Sequence, residues 1–172
     1  MPRNLTDEQI RAIAAKGGVV MINFSSTFLD QKVVDEFQAR KALLAPKAAE
    51  IAERSRDDPK KRDSEVSALL ENSQRSRANW TAVVDHIERV IRIAGPRAVG
   101  LGTDYDGIDD PPQGLEDVSK LPAVAEELLR RGHSEEVVRG VLGENFLAFW
   151  DRAQAARTAV PPRPGPFAFS KP

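Results

Sequence analysis

What most constrains this chain is a pattern that occurs twice: an amphipathic stretch that stops at glycine and feeds straight into a short, apolar, β-branched run. In the first copy, Thr6 and Gln9 have the form of a capping box, in which hydroxyl and carboxamide each satisfy an otherwise unpaired amide at a helix start. Ile10, Ile13 and Ala14 then repeat at helical spacing, and Gly17-Gly18 ends the helix by accepting the left-handed cap conformation. The run Val19-Val20-Met21-Ile22-Asn23-Phe24 suits a strand covered on both faces. In the second copy, Val83, Val84, Ile87, Val90 and Ile91 mark one face of a helix over 80–94, closed by Gly95-Pro96. Residues 98–103 follow as a second strand, in which Gly100 and Gly102 permit close approach of a neighbour. Helix then strand, repeated, predicts parallel strands joined by crossover helices, so the class is α/β.

Between the two copies, residues 30–76 are rich in Ala, Lys, Arg and Glu and read as an insertion of two or three helices, broken near Asp58-Pro59. Their interspersed charges mark solvated helix faces rather than a binding patch. After the second strand comes a loop over 104–117, rich in Pro, Gly and Asp. Pro122 then opens a helix that Gly132 ends, and Ser134 caps a last helix. Val137, Val138, Val141, Leu142, Phe146, Leu147 and Trp150 form the expected buried face of that helix. Residues 1–155 read as one unit and 156–172 as a proline-rich tail. Two strands cannot close a barrel, and a lone parallel pair leaves both outer edges open to association, so the chain reads as incomplete.

Composition narrows the partners. At 172 residues and 41% hydrophobic, the chain can bury a core. With 25 Lys and Arg against 26 Asp and Glu, it has no electrostatic footprint for nucleic acid or an anionic membrane. It has no cysteine, which excludes disulfides and thiolate metal sites. No stretch approaches the ~18 apolar residues of a spanning helix, and no signal peptide is legible. A cytoplasmic setting is the expectation.

Loops at the carboxyl ends of parallel strands carry active sites in α/β proteins, which makes Asp104 a functional candidate; Asp and Gly are also turn formers, which leaves a structural role equally open. The two histidines, His86 and His133, have no partner at ligand spacing on their own elements and read as structural. Residue by residue, no complete catalytic site and no metal ligand set is visible.

An ordered set of segments goes further. It comprises Arg3-Asn4-Leu5-Thr6-Asp7, Lys16-Gly17-Gly18-Val19-Val20-Met21 and Val84-Asp85-His86-Ile87. It continues with Gly100-Leu101-Gly102-Thr103-Asp104-Tyr105-Asp106-Gly107, Gln113-Gly114-Leu115-Glu116-Asp117-Val118, Glu127-Leu128-Leu129-Arg130-Arg131-Gly132 and Asn145-Phe146-Leu147. Together they resemble the C-terminal part of the membrane (renal-type) dipeptidase family, up to about residue 152. The resemblance implies part of a (β/α)8 TIM-type barrel and a metallopeptidase that hydrolyses dipeptides with a pair of zinc ions. The family's metal ligands lie upstream of the segments matched here, so the resemblance assigns none to this chain. It implies that Arg3 holds the substrate's terminal carboxylate, a task suited to a planar guanidinium, and that Asp104 is the catalytic carboxylate assisting proton transfer. On this reading the chain is a piece of a dipeptidase, inactive alone, whose partners are a dipeptide substrate and the missing N-terminal half-barrel. The alternative is a non-catalytic half-barrel module that pairs with another chain or with a second copy of itself.

Overall fold

A computed structural model describes residues 3–71 and 76–159. Helix α1, Asp7–Ala15, begins at the expected capping box: the Thr6 amide donates to the Gln9 carboxamide at 2.8 Å and the Gln9 amide to the Thr6 hydroxyl at 3.3 Å. Strand β1, Val20–Ile22, follows, then a single turn α2, Ser26–Leu29. The insertion is a helical hairpin of α3, Gln31–Arg54, and α4, Pro59–Glu71. The chain breaks before Pro59, as the sequence predicts, whereas Pro46 sits inside α3. Residues 72–75 of the insertion and the tail from 160 onward lie outside the described residues.

Helix α5, Thr81–Ala94, leads through a turn at Pro96–Ala98 into β2, Val99–Leu101. The two strands pair in parallel, with Val20 beside Val99, Met21 beside Gly100 and Ile22 beside Leu101. The fold is therefore mixed α/β and mostly helical, with a two-stranded parallel sheet among the described residues. The strand glycines do what the sequence suggests: a β-carbon built on Gly100 would stand 2.9 Å from the Met21 sulfur, and one on Gly102 would stand 2.8 Å from the Met21 β-carbon.

Helix α5 is the spine of the core. Val83, Val84 and Ile87 are fully buried and pack with Phe24, Val99, Leu115 and Leu128. Each such side chain contributes roughly 1.5–3 kcal/mol of hydrophobic stabilisation. Helix α6, Pro122–Arg130, is locked against α5 by charge as well as by packing. Arg131 reaches Asp85 at 2.6 Å, Glu88 at 2.7 Å and Glu127 at 2.7 Å, and Arg130 forks onto both oxygens of Glu127 at 2.6 Å. The guanidinium of Arg130, then that of Arg131, holds the Glu127 carboxyl down to about 2.

Two expectations are corrected. Strand β1 is not covered on both faces, because Met21 is 39% exposed. The last helix is not one amphipathic rod. Ser134 caps a short α7, Glu135–Arg139; a π-type turn at Gly140–Glu144 follows; then α8 runs from Asn145 to Ala159. Val138 and Val141 are buried, yet Leu142, Phe146, Leu147 and Trp150 are exposed, because no described element packs on that side of α8. Their periodicity marks an apolar face, which the described residues leave uncovered. No described helix is long and apolar enough to cross a membrane.

Candidate functional site

Because β1 and β2 run parallel and side by side, their carboxyl ends release the chain at the same edge of the sheet. The first residue beyond β1 is Asn23, and Asp104 lies three residues beyond Leu101, the end of β2. The Asn23 side-chain amide donates to the Asp104 carboxylate at 2.8 Å, and the Asn23 side-chain oxygen accepts from the Ser25 amide at 2.8 Å. Asp104 has φ of +60°, the one described residue other than glycine in the left-handed region. Its carbonyl accepts from the Gly107 amide at 2.8 Å, which closes a turn.

The loop after Asp104 is fastened to α2 through Asp110. The Asp110 carbonyl accepts from the Ser26 amide at 3.0 Å and the Ser26 hydroxyl at 2.6 Å. The Asp110 carboxylate accepts from the Ser25 hydroxyl and the Thr27 amide, both at 3.1 Å. Beneath the loop, Tyr105 meets Phe24 edge to face at a centroid distance of 5.8 Å, and its hydroxyl donates to the Asp117 carbonyl at 3.1 Å. Burial, with Asp117 and Glu116 adding to it, raises the Tyr105 phenol above its ordinary value. The neighbouring Glu116 carboxyl is held low, first by the Gly114 amide that donates to it at 2.8 Å.

This scaffold walls a cavity of about 710 Å³. Asp104 and Arg3, distant in sequence, both line it. Arg3 lies 4.7 Å above the Phe28 ring, a cation–π contact, and the next residue, Asn4, donates its side-chain amide to the Phe28 carbonyl at 2.8 Å. The remaining wall is supplied largely by α3: Val33, Val34 and Phe37 give an apolar surface, with Gln38 and Arg40 beside it. The helical insertion, in which no functional signal is legible from sequence, therefore borders the candidate site. A second cavity of about 780 Å³ is lined by β1 but by no residue of β2, and Arg3 borders it too. It is the larger, but Asp104 does not line it.

The described residues do not fit a metal centre. None of them forms a group of three or more His, Asp or Glu placed to hold an ion. His86 donates from Nε2 to the Leu29 carbonyl at 3.1 Å, and His133 contacts Glu88 at 3.0 Å. Burial pushes the Glu88 carboxyl up, but hydrogen bonds from Arg131 and His133 carry it below its ordinary value. Both histidines thus have structural partners, in keeping with their sequence reading. Asn23 and Asp110 are the site residues that sequence reasoning missed. The one available signal was the polar group Asn23, Ser25, Ser26 and Thr27, interrupted by Phe24, at the end of an apolar strand.

Comparison with known proteins places the chain among dipeptidases. Among solved structures the chain resembles dipeptidase AC, a metallopeptidase of family M19, at 27% identity and a TM-score of 0.58, covering 87% of this chain and 32% of that one. It also resembles a metallopeptidase from Rhodobacter sphaeroides liganded with a phosphinate mimic of the dipeptide L-Ala-D-Ala, at 26% identity and a TM-score of 0.58, covering 87% and 31%. The probable dipeptidase PvdM from Pseudomonas aeruginosa shares the fold, with a TM-score of 0.67 at 24% identity, covering 89% and 41%. The chain thus spans about a third of the length of the first two relatives. Residues 1–163 match membrane dipeptidase, peptidase family M19, and with the match running over nearly the whole sequence the chain belongs to that family.

Proposed function

We propose that the chain supplies the substrate-carboxylate clamp and the catalytic carboxylate of a metal-dependent dipeptidase, within a TIM-type barrel completed by further polypeptide. The observation that carries this reading is that Arg3 and Asp104, the two positions singled out by the family resemblance, line one cavity. Peptide hydrolysis adds water to the carbonyl carbon and breaks the C–N bond, and the departing nitrogen must receive a proton. A carboxylate beside the scissile bond can take a proton from water and hand it on, which is the role given to Asp104. A dipeptide carries its free carboxylate a fixed distance from its one peptide bond. A guanidinium such as Arg3, pinned over Phe28, can pair with both oxygens and so set which bond is presented. The wall of Val33, Val34 and Phe37 would take an apolar side chain. The zinc pair that the resemblance implies needs ligands that the described residues do not provide. Under this reading the chain alone is inactive, and its partner is the polypeptide that carries those ligands.

The test is to place this chain in the Rhodobacter sphaeroides relative in lieu of the corresponding third and follow cleavage of L-Ala-D-Ala. Asp104→Asn keeps the size and removes the proton acceptor, so kcat should fall by about 100-fold to 10,000-fold with metal content unchanged. Arg3→Ala should mainly raise KM, since it removes a contact made in ground state and transition state alike. Near-normal turnover by Asp104→Asn at full metal loading would reduce Asp104 to a turn residue. A non-catalytic half-barrel is the second reading, and the exposed Met21 and α8 face favour assembly under either.

A further inference from the structure

We propose that Asn23 is the positioning residue for Asp104, so that the strand end of β1 aims the carboxylate carried by the strand end of β2. The inference deepens the reading of Asp104 as the catalytic carboxylate and rests on it. The geometry leaves the Asn23 carboxamide one sensible orientation. Its oxygen takes the Ser25 amide at 2.8 Å, so its NH2 group must face the Asp104 Oδ2 at 2.8 Å. Flipped, it would set a donor against the Ser25 amide and an oxygen against a carboxylate, two repulsive contacts in place of two bonds.

The other carboxylate oxygen occupies space that only a glycine leaves open. Gly107 packs against Asp104 Oδ1 so closely that a β-carbon there would collide with it. The Gly107 amide meanwhile holds the Asp104 carbonyl and closes the turn. A non-glycine residue at φ +60° is costly, and such conformations persist where the surroundings over-determine them, as at functional sites. Asp104 is therefore held at two points, its backbone by the turn and Oδ2 by Asn23, while the missing side chain of Gly107 leaves the room that Oδ1 occupies. Both Asn23 and Asp104 still line the cavity. A carboxylate that passes a proton needs this fixity, because a displacement of about 1 Å at the reacting atoms can cost on the order of 100-fold in rate.

Two substitutions separate positioning from folding. Asn23→Asp keeps the oxygen that accepts from Ser25 and replaces only the donor facing Asp104; Asn23→Leu removes both bonds. In the full 172-residue chain, side-chain NMR couplings should show one Asp104 rotamer, averaged in Asn23→Leu. A single retained rotamer would overturn the inference. In the grafted enzyme, both variants should lower kcat by about 10-fold to 100-fold with KM changed less than about twofold. Asn23→Asp should recover toward the unsubstituted rate as the pH is lowered, because a protonated carboxyl at position 23 can again donate to Asp104, while Asn23→Leu should not. In an Asp104→Asn background neither should slow the reaction further. If Asp104→Asn is itself harmless, the catalytic reading of Asp104 fails. If it is crippling while the Asn23 variants are harmless or purely additive with it, only the positioning role fails.

Discussion

Asn145 offers a quantitative check on what holds β2 in place. At the start of α8 its side-chain amide donates to the Val99 carbonyl at 2.8 Å and to the Pro96 carbonyl at 2.7 Å, so it ties the last helix to the root of the strand that leads to Asp104. Val99 is fully buried, so its carbonyl finds no water if the donor is removed, whereas Pro96 is exposed and is rehydrated. Asn145→Ala should then cost about 1–3 kcal/mol for the stranded Val99 acceptor and about 0.5 kcal/mol for the other bond, near 2.5 kcal/mol together. For a chain of this size that corresponds to a melting temperature lower by about 5–10 °C. Asn145→Asp is the sharper variant: it is isosteric but turns a charged acceptor toward two carbonyl oxygens, and should be worse than alanine. Urea unfolding at fixed protein concentration, followed by Trp fluorescence, reads the difference as a shift in midpoint at constant slope. An aspartate variant as stable as the unsubstituted chain would show that the carboxamide does not hold the two carbonyls.

Acid should loosen the joint between α5 and α6. A carboxyl lowered from 4.5 to about 2 in the folded state stabilises that state fully above 4.5, and the contribution is lost as the pH falls toward 2. Melting temperature against pH should decline through that window in the unsubstituted chain and more shallowly in Glu127→Gln. The exposed Met21, Phe146, Leu147 and Trp150 should drive association of the isolated chain. Light scattering should show mass rising with concentration, and a monodisperse monomer that binds no hydrophobic dye would contradict it.

Local signals were legible and long-range pairings were not. The capping box of Thr6 and Gln9, the Ser134 cap and Pro122 at a helix start depend on a few neighbouring atoms, and each appears where the sequence places it. Pro46 breaks the rule that proline ends a helix because it lies on an exposed part of α3, where water can serve the carbonyl that its missing amide would have taken. The α8 face was legible as apolar, but periodicity does not say what covers it. Asn23 and Asp110 were invisible because their meaning lies in partners far along the chain, brought close by the parallel pairing of β1 and β2. Arg3 came from family resemblance alone, whereas Asp104 was a candidate from its place beyond a parallel strand, with a turn role equally open until the resemblance favoured catalysis.

The parallel register has a consequence for synthesis. Val20 leaves the ribosome long before Val99, the residue it must pair with. At about 5–20 residues per second, β1 waits roughly 4–16 s for its partner. Throughout that interval Met21 and Ile22 lack β2 to rest against, while α1 and the α3–α4 hairpin can already form from local contacts. A nascent chain paused within the insertion would therefore leave this edge of β1 open to a chaperone, and slowing translation after residue 99 should do far less harm than slowing it before.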